Sequence, residues 1–129
     1  MAQAKVLPFM APAETDRLRQ RPIDLVHLAK QTLGDSALEC EVLRMFDQFA
    51  TGTFARIERS TSSDELLSHL SSLRGAAAGV GAWTIADLAE VAETEIASGT
   101  VNPERIDDIE MALNETGVFI AELLENEPV

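Results

Sequence analysis

Ser71-Ser72-Leu73-Arg74-Gly75-Ala76-Ala77-Ala78-Gly79-Val80-Gly81-Ala82 is the stretch on which the reading of this chain turns. With Leu66 and Leu70 before it, the residues Leu73, Ala77 and Val80 recur at spacings of three and four, the pattern of one helix face. If that face is inward, Ser71 faces out, and Gly75 follows it by one turn on the same side. A glycine inside a helix costs up to about 1 kcal/mol relative to alanine, so Gly75 and Gly79 call for a reason. Close packing of helix on helix is reason enough for Ala77 and Gly81. For Gly75, beside the outward Ser71, the better reason is clearance for a partner. His69 is spaced with Leu66, Leu73 and Ala76 and so faces the interior or its rim as a packed, hydrogen-bonded histidine. Successive helix residues turn by roughly 100°, which sends His69 and Ser71 to nearly opposite sides.

Outward from this stretch, every segment reads as helix and none shows the strict alternation of a half-buried strand. Asp24 caps a short helix with Leu25, Leu28, Ala29 and Leu33 at helical spacing, and Gly34 supplies a left-handed stop. Ser36-Ala37-Leu38-Glu39 reads as a capping box for a longer helix, with a stripe of Leu38, Val42, Met45, Phe46, Phe49 and Ile57 and a bend at Gly52. Ser62-Ser63-Asp64-Glu65 is a second capping box, opening the helix of Ser71. Trp83-Thr84 begins the next, with Ile85, Leu88, Val91, Ala92 and Ile96 inward and Gly99 as terminator. Asn102-Pro103 places an N-cap before a proline at the first helical position, and Ile106, Ile109, Leu113, Ile120 and Leu124 run down the last helix. Connections of a few residues between long amphipathic helices imply antiparallel neighbours. The expected fold is all-α: an up-down antiparallel four-helix bundle with a short N-terminal helix, over 22–129. Residues 1–21, marked with their border by Pro8, Pro12 and Pro22, read as a tail or strap.

The chain has 129 residues, enough for one domain with its own core. Ten Lys and Arg stand against 22 Asp and Glu, a net charge of −12. That field repels a nucleic-acid backbone and an anionic membrane surface, so neither is expected as a partner. Cys40 is the single cysteine, which excludes an intrachain disulfide and a cysteine-based metal site; it reads as a helix-packed thiol. No apolar run approaches the ~18 residues of a membrane span, and Val6 to Met10 is too short and proline-broken for a signal-peptide core. A cytoplasmic protein is expected. His27, across the short first helix from Leu25 and Leu28, is expected to be exposed. The carboxylates Glu90, Glu93, Glu95, Asp107 and Asp108 lack histidine companions and read as a solvated face rather than a metal site or acid-base pair. No phosphate-cradling loop, zinc spacing or nucleophile triad is present, so neither catalytic residues nor a cofactor are expected.

Residues 71–81 resemble the signature of histidine-containing phosphotransfer (HPt) domains, His-x-Leu-Lys-Gly-small-small-x-x-apolar-Gly. Lysine is replaced by Arg74, which keeps the charge, and the phosphoacceptor histidine by Ser71. Ile23-Asp24-Leu25, Gly34-Asp35 and Glu41-Val42-Leu43-Arg44-Met45-Phe46 resemble the opening of the same family, so that the likeness covers roughly 22–126. It implies a four-helix bundle of bacterial two-component phosphorelays, with a receiver-binding surface at Ser71, Arg74, Gly75 and Ala78. Serine does not replace the histidine chemically. Its hydroxyl is a weak nucleophile without an adjacent base, and its phosphate ester is too stable to pass on reversibly. The expected function is therefore a binding module for a response-regulator receiver domain or a histidine kinase. Two other readings stay open: an active phosphotransfer protein using His69 as displaced acceptor, and a structural interaction scaffold with no receiver partner.

Overall fold

The structure, a computed structural model, describes residues 21–126; the expected tail or strap, apart from Arg21, lies outside them. Five helices follow one another: α1 (Leu25–Thr32), α2 (Ser36–Arg59), α3 (Ser63–Val80), α4 (Trp83–Ala97) and α5 (Pro103–Glu125). No strand occurs among the described residues. Each of the four long helices packs on two of the other long ones, α2 on α3 and α5 and α4 on α3 and α5, while α1 lies against α2 and α3. No described helix is long and apolar enough to cross a membrane.

Capping chemistry sets the boundaries. Asp24 Oδ1 accepts from Val26 N and His27 N, both at 3.1 Å, satisfying two of the orphan donors at the start of α1. Asn102 does the same for Glu104 N ahead of Pro103. Ser62 Oγ accepts from Glu65 N, as the expected capping box requires, but the returning arm reaches one residue further: Glu65 Oε1 takes Thr61 N at 2.8 Å. At α2 the expected box on Ser36 gives way to Asp35, whose Oδ1 accepts from Leu38 N. Glu39 instead lies 3.2 Å from the buried Thr32 hydroxyl. At the end of α1 the left-handed turn begins a residue before Gly34, at Leu33 with φ 55°. That backbone throws the Leu33 side chain out of the apolar face, and it is 93% exposed.

The core runs through Ile23, Leu28, Leu70, Leu73, Ile85, Ile109 and Ile120, all nearly inaccessible. On α3, Leu66, Leu70, Leu73, Ala77 and Val80 are all buried, as their spacing predicts. On α2 the expected stripe is rotated. Leu43, Phe46, Ala50, Thr53, Phe54 and Ile57 face inward, while Leu38, Met45 and Phe49 are 45%, 60% and 42% exposed. The helix carries apolar residues on more than one face, and the neighbours α3 and α5 select the arc that holds Ala50 and Thr53. Val91 on α4 is likewise outward. Phe46→Ala is therefore expected to cost about 3–5 kcal/mol, the usual range for a buried phenylalanine, and Phe49→Ala far less. Chemical denaturation of the two variants checks this register.

The start of α1 and the α3–α4 turn meet at one joint. Gly81 closes α3 with φ +82°, and its carbonyl accepts from Asp24 N at 2.9 Å. A Cβ on Gly81 would sit 3.0 Å from Asp24 Cβ and 3.1 Å from Asp24 O, so both the conformation and the space demand glycine. Asp24 Oδ2 accepts from Trp83 Nε1 at 2.9 Å. His27, expected to be exposed, packs its ring edge-on against Trp83 with centroids 4.9 Å apart, and its Nε2 is buried without a hydrogen-bond partner. Burial raises the Asp24 pKa, but the bonds from Trp83, His27 N and Val26 N and the nearby imidazole outweigh it and hold the carboxyl below its ordinary value. A folded-state pKa below the unfolded one gives stabilisation that is complete above the unfolded value, about 4, and is lost as pH falls through the folded value. Acid titration of stability should thus fall more steeply below about pH 4 in the native chain than in Asp24→Asn, which has no such charge to lose.

Candidate functional site

The outer face of α3 carries what the core does not use. Ser68, Ser71, Ser72, Gly75 and Gly79 are all exposed, with Arg74 and Ala78 half-buried beside them. Their placement follows from the helix period: with Leu70, Leu73 and Ala77 inward, residues 71, 75 and 79 fall on the opposite arc. A Cβ built on Gly75 or on Gly79 meets nothing within 4 Å. Neither glycine is required by a helix neighbour or by its backbone conformation, in contrast with Gly81. The result is a smooth ridge of hydroxyls and bare backbone along the middle of α3.

Arg74 does not project from this ridge. Its guanidinium lies across to α4 and pairs with Glu93 through Nε. The hydrogen bond to Glu93, then the charge of Glu93, and beyond it Glu90, raise the guanidinium pKa. The acidic residues expected to form a solvated face are in part organised the same way. Glu95 accepts from Arg105 Nη2 at 3.2 Å, and Arg105 Nη1 reaches Asp108 at 3.1 Å. The Arg105 bond is the leading cause of a lowered Glu95 pKa. No group of three or more His, Cys, Asp or Glu among the described residues is arranged to hold a metal ion. Cys40 is half-buried on α2.

His69 is half-buried and turned away from Ser71. It opens into a cleft between the end of α2 and the start of α3, lined by Arg56, Arg59, Ser60 and Glu65. Among the residues singled out in the sequence, the structure thus brings Ser71, Arg74, Gly75 and Ala78 to one sector of α3 and leaves His69 in another. Two pairings escaped sequence reasoning. Glu93 lies 19 positions from Arg74, beyond any local spacing rule. The approach of Arg56 and Arg59 to His69 was in principle legible, since a three-residue connection folds the last turn of one helix back on the first turns of the next.

Comparison of the chain with protein-family models, with curated proteins and with solved structures finds no match.

Because Gly75 has open space around it and helical backbone, Gly75→Ala should raise stability by up to about 1 kcal/mol. The unfolding midpoint in urea checks it; a loss of stability would mean that the glycine serves packing after all.

Proposed function

We propose that this chain is an HPt-like antiparallel four-helix bundle with a short N-terminal helix, lacking the phosphoacceptor histidine, and that it acts by binding a receiver domain or a histidine kinase. One observation carries the reading: Ser71 and Gly75 lie exposed, one turn apart, on a helix face where packing gives no reason for glycine. Such a bare patch lets a partner's backbone approach closely, and the low side-chain entropy of Ser, Gly and Ala leaves little to be ordered on contact. The resemblance of residues 71–81 to the HPt signature names the partner class. Arg74, anchored by Glu93, offers a positioned edge rather than a mobile cation. Serine at position 71 supplies no imidazole, so the module binds without relaying phosphate.

A second reading, phosphotransfer through His69, is favoured by the position of that imidazole beside two guanidinium groups in a cleft. Label transfer separates the two. Incubated with a phosphorylated receiver domain, the native protein is expected to bind and to take up no acid-labile, alkali-stable phosphate; uptake that disappears in His69→Ala would select the second reading. Gly75→Leu, filling the exposed patch, should abolish receiver binding with the fold retained. Ser71→His should cost little stability, within roughly 0.5 kcal/mol as for most surface changes, and should gain acid-labile phosphate. A folded Ser71→His protein that neither binds a receiver nor accepts phosphate would overturn the proposal.

A further inference from the structure

The cleft between the end of α2 and the start of α3 stands apart from the Ser71 ridge. Arg56 and Arg59 occupy the last turn of α2, three residues apart and therefore on adjoining positions of one face. Ser60 follows as the C-cap, its Oγ donating back to the Arg56 carbonyl at 2.9 Å. From α3 come Glu65 and, one turn on, His69. Three other arginines meet carboxylates: Arg44 with Glu41, Arg74 with Glu93, and Arg105 with Glu95 and Asp108. Arg56 and Arg59 have no ion-pair partner among the described residues, although Glu65 lines the same cleft. The Glu65 carboxylate is turned back into the loop, where its Oε1 accepts from Thr61 N at 2.8 Å and lies 3.3 Å from Thr61 Oγ1. The carbonyl end of α2 favours cations in its last turn, which accounts for arginines there but not for an imidazole converging on them from a second helix.

We infer that Arg56, Arg59 and His69 form a binding site for a small oxyanion of the phosphate class. Two guanidinium forks present planar N–H pairs that match phosphate oxygens, and charge-assisted bonds of this kind are among the stronger ones a surface can make. The imidazole adds a ring N–H donor from the facing helix. Glu65 opposes the anion by charge, while its capping bonds to Thr61 keep that charge on the loop side of the cleft. The inference is independent of receiver binding at Ser71 and of any transfer of a phosphoryl group, since it requires only reversible association.

Titration by proton–nitrogen NMR tests it, with inorganic phosphate as the probe and sodium chloride at matched ionic strength as the reference. Saturable shifts confined to the amides of residues 56–69 and to the His69 ring are expected with phosphate and not with chloride. Arg56→Gln with Arg59→Gln should weaken binding by at least about tenfold, the equivalent of roughly 1.4 kcal/mol, and both side chains are exposed, so the fold is retained. Arg44→Gln, on the same helix and outside the cleft, should change nothing. Glu65→Gln should tighten binding, an effect that loss of a merely structural contact does not produce. Shifts that do not saturate, that chloride reproduces, or that survive the double substitution would overturn the inference. Free phosphoserine in a parallel titration separates the anion itself from a phosphorylated side chain: equal affinity places recognition in the phosphate group, and binding by phosphoserine alone would overturn the small-anion assignment.

Discussion

The carboxylate of Asp24 is the point on which the arrangement of helices depends. One side chain caps α1 through two backbone amides and holds the Trp83 indole, while its own N–H is bonded to the Gly81 carbonyl. Cap, turn and next helix are thereby fixed relative to one another by a residue far from two of them in sequence. A buried or half-buried carboxylate is tolerated only where donors surround it, and here three do so: the amides of Val26 and His27 and the indole of Trp83. Gly81 completes the constraint from the other side, because its left-handed backbone and missing Cβ let the α3–α4 turn approach Asp24. Once α3 ends there, the phase of its inward face is set, and with it the outward direction of Ser71 and Gly75.

Much of this was legible in the residues. The spacing of Leu66, Leu70, Leu73, Ala77 and Val80 predicts the inward face of α3 without ambiguity, since the opposite arc offers serine, glycine, arginine and alanine but no large apolar side chain. Asp24, Ser62, Asn102 and Gly99 announce their helix ends by local chemistry that tertiary structure does not alter. Helix α2 was harder to read because Leu38, Met45 and Phe49 compete with Leu43, Phe46 and Phe54 for the interior. Hydrophobicity alone does not choose between two apolar arcs; the positions of α3 and α5 do. The short first helix failed at the same level, where His27 looked solvent-facing until Trp83, 56 positions away, covered it. The Ser71 ridge was visible as a pattern, whereas the partners of Arg74 and His69 depend on which helices lie side by side.

Charge is distributed with more order than a net of −12 suggests. The Arg74–Glu93 pair ties α3 to α4, and Arg105 ties α5 to Glu95 near the end of α4. These pairs are partly exposed, so each stabilises only modestly, but they direct side chains. Arg74 is drawn aside, which leaves the ridge of Ser71, Gly75 and Gly79 free of a swinging cation. At the other end of α3 the opposite holds, and positive charge without a carboxylate partner gathers beside His69.

The joint at Asp24 also carries the chain's only tryptophan, and the sequence has no tyrosine. Emission from this protein therefore comes from one indole, whose ring nitrogen is bonded to a carboxylate and whose ring meets an imidazole in a T-shaped contact. Both neighbours sit on the α1 side of the joint. The native chain thus contains a built-in optical probe of whether α1 is seated against the α3–α4 turn, with no label required. Detachment of that one short helix would be seen in the spectrum separately from unfolding of the larger core, which holds no other strongly emitting group.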